Sequence, residues 1–192
     1  EVAVVTAADR GRGARAGNHA FEADALATTS SDVALAVLTA DCVPLVLLDP
    51  HARVLAVVHA GWRGTVARVA EAAIETMTAL GADPAAIVAG LGPAIPADRY
   101  QVGDDVADAA HACFAGDPRR TDGILRPDGT GRWTFDVAAA NRRILTAAGV
   151  PDDQIEVAAV GTGRDGPFYS HRGGAPCGRF GALARLRPRD AA

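Results

Sequence analysis

Two side chains in this sequence stand out for the chemistry they could share: Cys42 and His59, within the stretch ADCVPLVLLDPHARVLAVVHAGWRG of residues 40–64. Each bounds an apolar, β-branched run, Val43 to Asp49 and Val54 to His59, and the break between them, Asp49-Pro50-His51, is too short for a crossover helix. The runs therefore predict an antiparallel pair. Cys42 at the start of one strand and His59 at the end of the next then become neighbours in space. A soft thiolate beside an imidazole suits Zn²⁺ or copper, and the same pair suits an activated cysteine nucleophile. The plainer alternative is a buried small hydrophobe beside a satisfied core histidine.

The residues around the pair add to the chemical reading. Gly61 and Gly64 flank Trp62-Arg63 directly after His59, which predicts a tight strand-to-helix turn with backbone N–H groups where an anion can sit. Arg63 is aimed at that opening, or stacks on Trp62 instead. Asp41, next to Cys42, suits a supporting or proton-transfer role, or a strand-end cap.

Further elements must hold these residues in place. Val2 to Thr6 and Val33 to Thr39 read as strands, the latter closely connected to the two already described. Asp9 to His19 reads as a mobile loop. Thr65 caps a predicted helix with Val66, Val69, Ala73, Ile74 and Met77 on one face, ending near Gly81. Ile87 to Leu91 reads as a strand, and Val102 to Phe114 as a helix starting near Gly103 or Asp104. Trp133 to Phe135 is a short strand, and Asp136 caps a helix through Asn141 and Leu145 to Gly149. Strands at Ile155 to Val160 and Phe180 to Leu186 complete one α/β domain with a mixed sheet over residues 1–192.

Composition narrows the function classes. The 192 residues carry a formal charge of −4, and all 19 basic residues are arginines, so the basic excess of a duplex-binding protein is missing. No apolar run exceeds Val43 to Leu48, well short of the roughly 20 residues a membrane span needs. Three scattered cysteines, Cys42, Cys113 and Cys177, do not read as a disulfide framework, which points to a reducing, cytoplasmic setting. The start, EVAVVTAADRGRG, lacks the order of a signal peptide and reads as internal, with upstream residues absent. A monomer is expected.

ADCVPLVLLDP followed by HAGWRG, GPAI with Tyr100 and Val102-Gly103, FD with Asn141 and Leu145, then FYSHRGG and CGRFGALARL, resemble the YfiH family, also called the laccase-domain or multicopper polyphenol oxidase family. The resemblance covers nearly the whole chain. It implies a layered α/β fold shared with certain cysteine hydrolases, and a zinc-dependent enzyme that phosphorolyses adenosine, inosine and methylthioadenosine and deaminates adenosine. Purine nucleoside and phosphate are thus the implied partners. It also implies that Cys42 and His59 are two of three metal ligands, the third being a histidine upstream of Glu1, so that this chain would hold metal poorly. His51 and His111 read as solvated surface residues, and His19 as a loop residue or a substitute ligand. His171 and Cys177 stand where relatives often carry Tyr and a small hydroxyl residue. A Cys42-based hydrolase, a peptidoglycan editing factor and a non-enzymatic metal-binding domain stay open as alternatives. A copper oxidase is disfavoured, because multicopper centres need many histidines and this chain has 5.

Overall fold

The structure, a computed structural model, describes residues 1–14, 19–164 and 166–188. The strands are β1 (Val2–Val4), β2 (Ala25–Thr28), β3 (Leu35–Thr39), β4 (Val43–Asp49), β5 (Val54–Ala60), β6 (Val88–Leu91), β7 (Gln101–Val102), β8 (Leu125–Pro127), β9 (Trp133–Phe135), β10 (Ile155–Val157) and β11 (Phe180–Ala184). The α-helices are α1 (Trp62–Val66), α2 (Val69–Ala79), α3 (Asp104–Cys113) and α4 (Val137–Ala147). The expected antiparallel hairpin of β4 and β5 is present, with Pro44 opposite His59 and Val43 opposite Ala60. It forms the centre of a six-stranded sheet in the order β1-β2-β5-β4-β6-β10. β1 and β10 pair parallel with their neighbours and the rest antiparallel, so the sheet is mixed.

Both faces of this sheet are covered, which explains the unbroken apolar run of β5. Val54, Ala56 and Val58 pack towards Ala73, Ile74 and Met77 of α2 and Ile144 and Leu145 of α4. Leu55 and Val57 pack on the opposite face with Val5, Val33 and Leu35. Strands covered on both faces lose the alternation of a half-exposed strand. The second layer is a two-stranded ribbon of β3 and β11, and a small sheet β7-β9-β8 lies alongside.

Several boundaries differ from expectation. β3 does not join the sheet of β4 and β5; it turns away to pair antiparallel with β11, Thr39 opposite Phe180. The sequence gives no strand signal for β2, because Ala25 and Ala27 lack β-branched bulk, yet both are fully buried under the helices. The single helix expected from Thr65 is two, separated at Arg68, whose φ of 58° is left-handed. Glu71 clamps the Arg68 guanidinium across this break. Thr65 is a core residue rather than a cap, its hydroxyl accepting from Asn141 Nδ2 at 2.8 Å. The predicted strand to Val160 stops at Val157, and the one to Leu186 stops at Ala184. Asp136 does cap α4, accepting from Ala139 N at 2.8 Å, and Gly103 precedes α3. Part of the expected loop, residues 15–18, lies outside the described residues. Among the described residues no helix is long and apolar enough to cross a membrane.

The turn that closes the central hairpin rests on one carboxylate. Asp49 is 1% exposed; its Oδ1 accepts from His51 N at 2.8 Å and Ala52 N at 2.9 Å, and its Oδ2 from Asp83 N at 2.8 Å. These amides hold the carboxyl below its ordinary value of 3.8, against the opposing effect of its burial. The charged form is therefore the native one. Asp49→Ala should lower the unfolding free energy at neutral pH by about 3 kcal/mol, since it strands three donors. The Asp49 contribution is complete above 3.8, the unfolded value, and is lost as pH falls through the depressed folded value. Urea unfolding of wild type and Asp49→Asn at neutral and acidic pH checks this: the gap between them should shrink on acidification, and a constant gap would refute the role.

Candidate functional site

The backbone turns sharply between β3 and β4, and Asp41 takes the strain. Its φ of 88° lies in the left-handed region that residues with a Cβ rarely adopt. Three hydrogen bonds hold it there. Its Oδ1 accepts from Thr162 Oγ1 at 2.5 Å, its Oδ2 from Arg172 N at 2.7 Å, and its carbonyl from Ile95 N at 3.0 Å. Segments distant in sequence are thereby tied to the start of β4. Gly161 permits the approach of one of them, because a Cβ there would stand 2.6 Å from Pro96 Cγ.

Cys42 follows directly and is half-buried. Its sulfur occupies the space that Gly61 leaves on the neighbouring strand: a Cβ on Gly61 would stand 2.8 Å from Cys42 Sγ. Glycine is thus required by the thiol, since the backbone at Gly61, with a φ of −76°, is open to any residue. Burial pushes the Cys42 thiol up, the Asp41 charge adds to this, and Arg179 opposes it. His59 lies two register positions along, opposite Pro44. Its backbone N donates to Asp24 O at 2.7 Å, and its Nδ1 is 3.9 Å from Asp24 Oδ1. His59 lines a groove of about 880 Å³ whose walls include Phe21, Leu26, Val37 and Leu38.

Arg63 lies with its Cζ 4.3 Å from the Trp62 ring centroid, so the stacked arrangement is the one present. α1 has only five residues, so the helix-start anion site expected of the Gly61–Gly64 turn has little dipole behind it. A stronger electrostatic feature is Tyr100, which the residue reading left without a role. Arg172 Cζ is 5.2 Å from its ring centroid, and Phe135 stacks on it at 6.1 Å. Burial, with Cys42 and Asp41 adding and Arg172 and Arg63 opposing, pushes the Tyr100 hydroxyl up to about 12. It therefore stays a proton donor at neutral pH.

The fold thus gathers Asp41, Cys42, Tyr100 and Arg63 into one electrostatic neighbourhood, with His59 on the adjoining strand. The other histidines are all exposed. His51 is exposed at the far turn of the hairpin, and His111 is on α3 with its Nδ1 3.1 Å from Thr121 Oγ1. His19 and His171 are exposed, and Cys177 Sγ is 3.2 Å from Gly178 O. The sequence gives no sign of Thr162 or Asp24, and it contains Arg172 and Arg179 only within the motifs FYSHRGG and CGRFGALARL, without a role. The donor types of Cys42 and His59 fit zinc. They do not complete a site, because among the described residues no group of three or more His, Cys, Asp or Glu could enclose an ion.

Comparison with known proteins agrees with this architecture. The model of the family described as multi-copper polyphenol oxidoreductase laccase matches residues 1–187. A Deinococcus radiodurans protein named purine nucleoside phosphorylase is 41% identical over 174 residues, covering 88% of this chain and 64% of that protein. Adenosine deaminase RL5, from an unknown prokaryotic organism, is 45% identical over 132 residues, covering 69% of this chain and 49% of that protein. The crystal structure of the Bacillus licheniformis hypothetical protein YfiH superposes with a TM-score of 0.88 at 32% identity, over 97% of this chain and 70% of that one. This chain therefore spans less than two thirds of the length of either of these two named relatives. With the sequence motifs, the layered fold and the match over residues 1–187 in agreement, the chain belongs to the multi-copper polyphenol oxidoreductase laccase family, the YfiH family.

Proposed function

We propose that the chain contributes the active site of a purine nucleoside phosphorylase acting on adenosine, inosine and methylthioadenosine, with adenosine deamination as a second reaction. The observation that carries this reading is the 41% identity, over 88% of the chain, to a protein named for that activity. The similarity to an adenosine deaminase supports the second reaction. In phosphorolysis a phosphate oxygen bonds to the anomeric carbon while the glycosidic bond breaks, and the purine leaves with the electron pair and takes up a proton. In deamination, water replaces the exocyclic amine, which leaves as ammonia. Neither reaction needs an oxidant, so the family's oxidase description is not required to explain the site.

The side chains divide this work. Arg63 reaches the corner beside Cys42 and Tyr100, where a guanidinium can orient phosphate and stabilise charge as it approaches the sugar. Asp41 has both carboxylate oxygens engaged, so its role here is to position the Cys42 turn rather than to move a proton. Tyr100, held protonated, keeps a donor at the same place. Cys42 and His59 supply two ligands to a zinc ion, or to copper in its place, and further ligands come from outside the described residues. Bound there, the metal would polarise a substrate oxygen or nitrogen. A metal-independent Cys42 nucleophile is less well supported, because such a thiol needs a depressed pKa and this one is raised.

Two variants test these assignments. Cys42→Ser should weaken zinc binding on the order of 100-fold, a neutral hydroxyl being a poorer ligand than a thiolate. Competition against a chromogenic chelator measures it, and unchanged affinity would remove Cys42 from the ligand set. Arg63→Lys keeps the charge but loses the bidentate fork, so it should raise the KM for phosphate more than the KM for nucleoside. Deamination uses no phosphate and should survive better than phosphorolysis. Equal losses in both reactions would instead assign Arg63 to supporting the turn through Trp62.

A further inference from the structure

The corner around Tyr100 carries an excess of positive charge that its own hydrogen bonds do not use up. Arg172 is exposed, and its Nη1 donates to Gln101 O at 2.9 Å. Its Nε and Nη2 have no partner among the described residues. Its place is nevertheless well determined, because its backbone N is fixed on Asp41 Oδ2 and its guanidinium lies 5.2 Å from the Tyr100 ring centroid. Arg63 is likewise exposed, lies over Trp62, and has no carboxylate partner among the described residues. Arg179 approaches from the Cys42 side, its Nη1 3.0 Å from Gly178 O.

The countercharge is small. Asp41 is the carboxylate whose field reaches both Cys42 and Tyr100, and its two oxygens are spent on Thr162 and on the Arg172 backbone. Arg63, Arg172 and Arg179 each act on Tyr100 or Cys42, and none of them is paired with a carboxylate among the described residues, so the corner is cationic in a chain whose formal charge is −4. A diffuse polyanion would meet that overall negative charge, whereas a small dianion needs only the corner. Free N–H donors on Arg172 and the Tyr100 hydroxyl suit tetrahedral oxygens.

We propose that Arg172 and Tyr100, together with Arg63, form the seat for a phosphate dianion beside Cys42, with Arg172 its principal anchor. Naming the occupant as inorganic phosphate rests on the phosphorolysis reading above; the seat itself rests on the charges and contacts of these side chains. Asp41 then has a second consequence, because the bond that strains the Cys42 turn also delivers Arg172 to the anion.

Direct binding separates the two claims. Inorganic phosphate is titrated into the protein and followed by ³¹P NMR, with adenosine 5′-monophosphate in a parallel titration. Arg172→Gln should weaken phosphate binding about tenfold or more, and Tyr100→Phe about threefold, as expected for losing a charged and a neutral hydrogen bond. Arg172→Lys should recover part of the affinity. Arg53→Gln removes the same charge from the far turn of the hairpin, opposite the Cys42 end, and should leave binding unchanged. Circular dichroism on each variant ties the losses to the side chain rather than to unfolding. Wild-type affinity in Arg172→Gln, an equal loss in Arg53→Gln, or binding of the nucleotide but not of free phosphate would overturn the seat. If phosphate binds as described but no purine nucleoside is phosphorolysed, the seat stands and the functional reading fails. If nucleoside turnover needs phosphate and Arg172→Gln leaves its KM unchanged, the reading stands and the seat fails.

Discussion

The hydrogen-bonded confinement of Asp41 is the constraint on which the site depends. A residue with a Cβ at a φ of 88° costs energy of order 1–3 kcal/mol, and it persists only where its surroundings over-determine it. Here Thr162, Arg172 and Ile95 do so, each from a different part of the chain. The sharp turn they enforce ends β3, starts β4 and sets Cys42 over the empty face of Gly61. The layered fold makes this possible, because the ribbon of β3 and β11 can leave the main sheet only if the chain reverses between Thr39 and Val43.

Electrostatics and packing act together at that turn. Asp41 raises the proton affinity of Cys42 and Tyr100, so without a compensating cation the neighbourhood favours neutral, protonated groups. Arg179 acts on Cys42 and Arg172 and Arg63 on Tyr100, and none of the three forms an ion pair with Asp41. Their charge therefore remains directed outward, toward whatever enters the corner. His59 belongs to a different environment, the apolar groove bounded by Phe21 and Leu38, and joins the site only through the register of the central hairpin. The site thus has a cationic side and an apolar side. That division suits the proposed substrate pair of phosphate and purine nucleoside.

What the sequence discloses follows the range of the forces involved. β4, β5 and the Cys42–His59 juxtaposition were legible, because a long apolar run and a short turn determine a hairpin locally. The cap at Asp136 was legible for the same reason. β2 was not, since its alanines are selected by the close approach of α2 rather than by strand propensity. The break at Arg68 was hidden too, because a left-handed arginine is stabilised by its pairing with Glu71 and not by any helix-breaking residue type. Thr162 and Arg172 could not be read, as their importance arises from contacts 121 and 131 positions away along the chain. The family motifs named Tyr100 without its role, which depends on burial and on neighbours from three segments.

In the proposed reaction phosphate, not water, cleaves the glycosidic bond at this corner. The identity of the sugar product decides it, when the protein is incubated with inosine and inorganic phosphate and followed by ³¹P NMR. Phosphorolysis gives ribose 1-phosphate in step with the loss of inorganic phosphate and the release of hypoxanthine. Free ribose formed at a rate independent of phosphate concentration would mean hydrolysis instead.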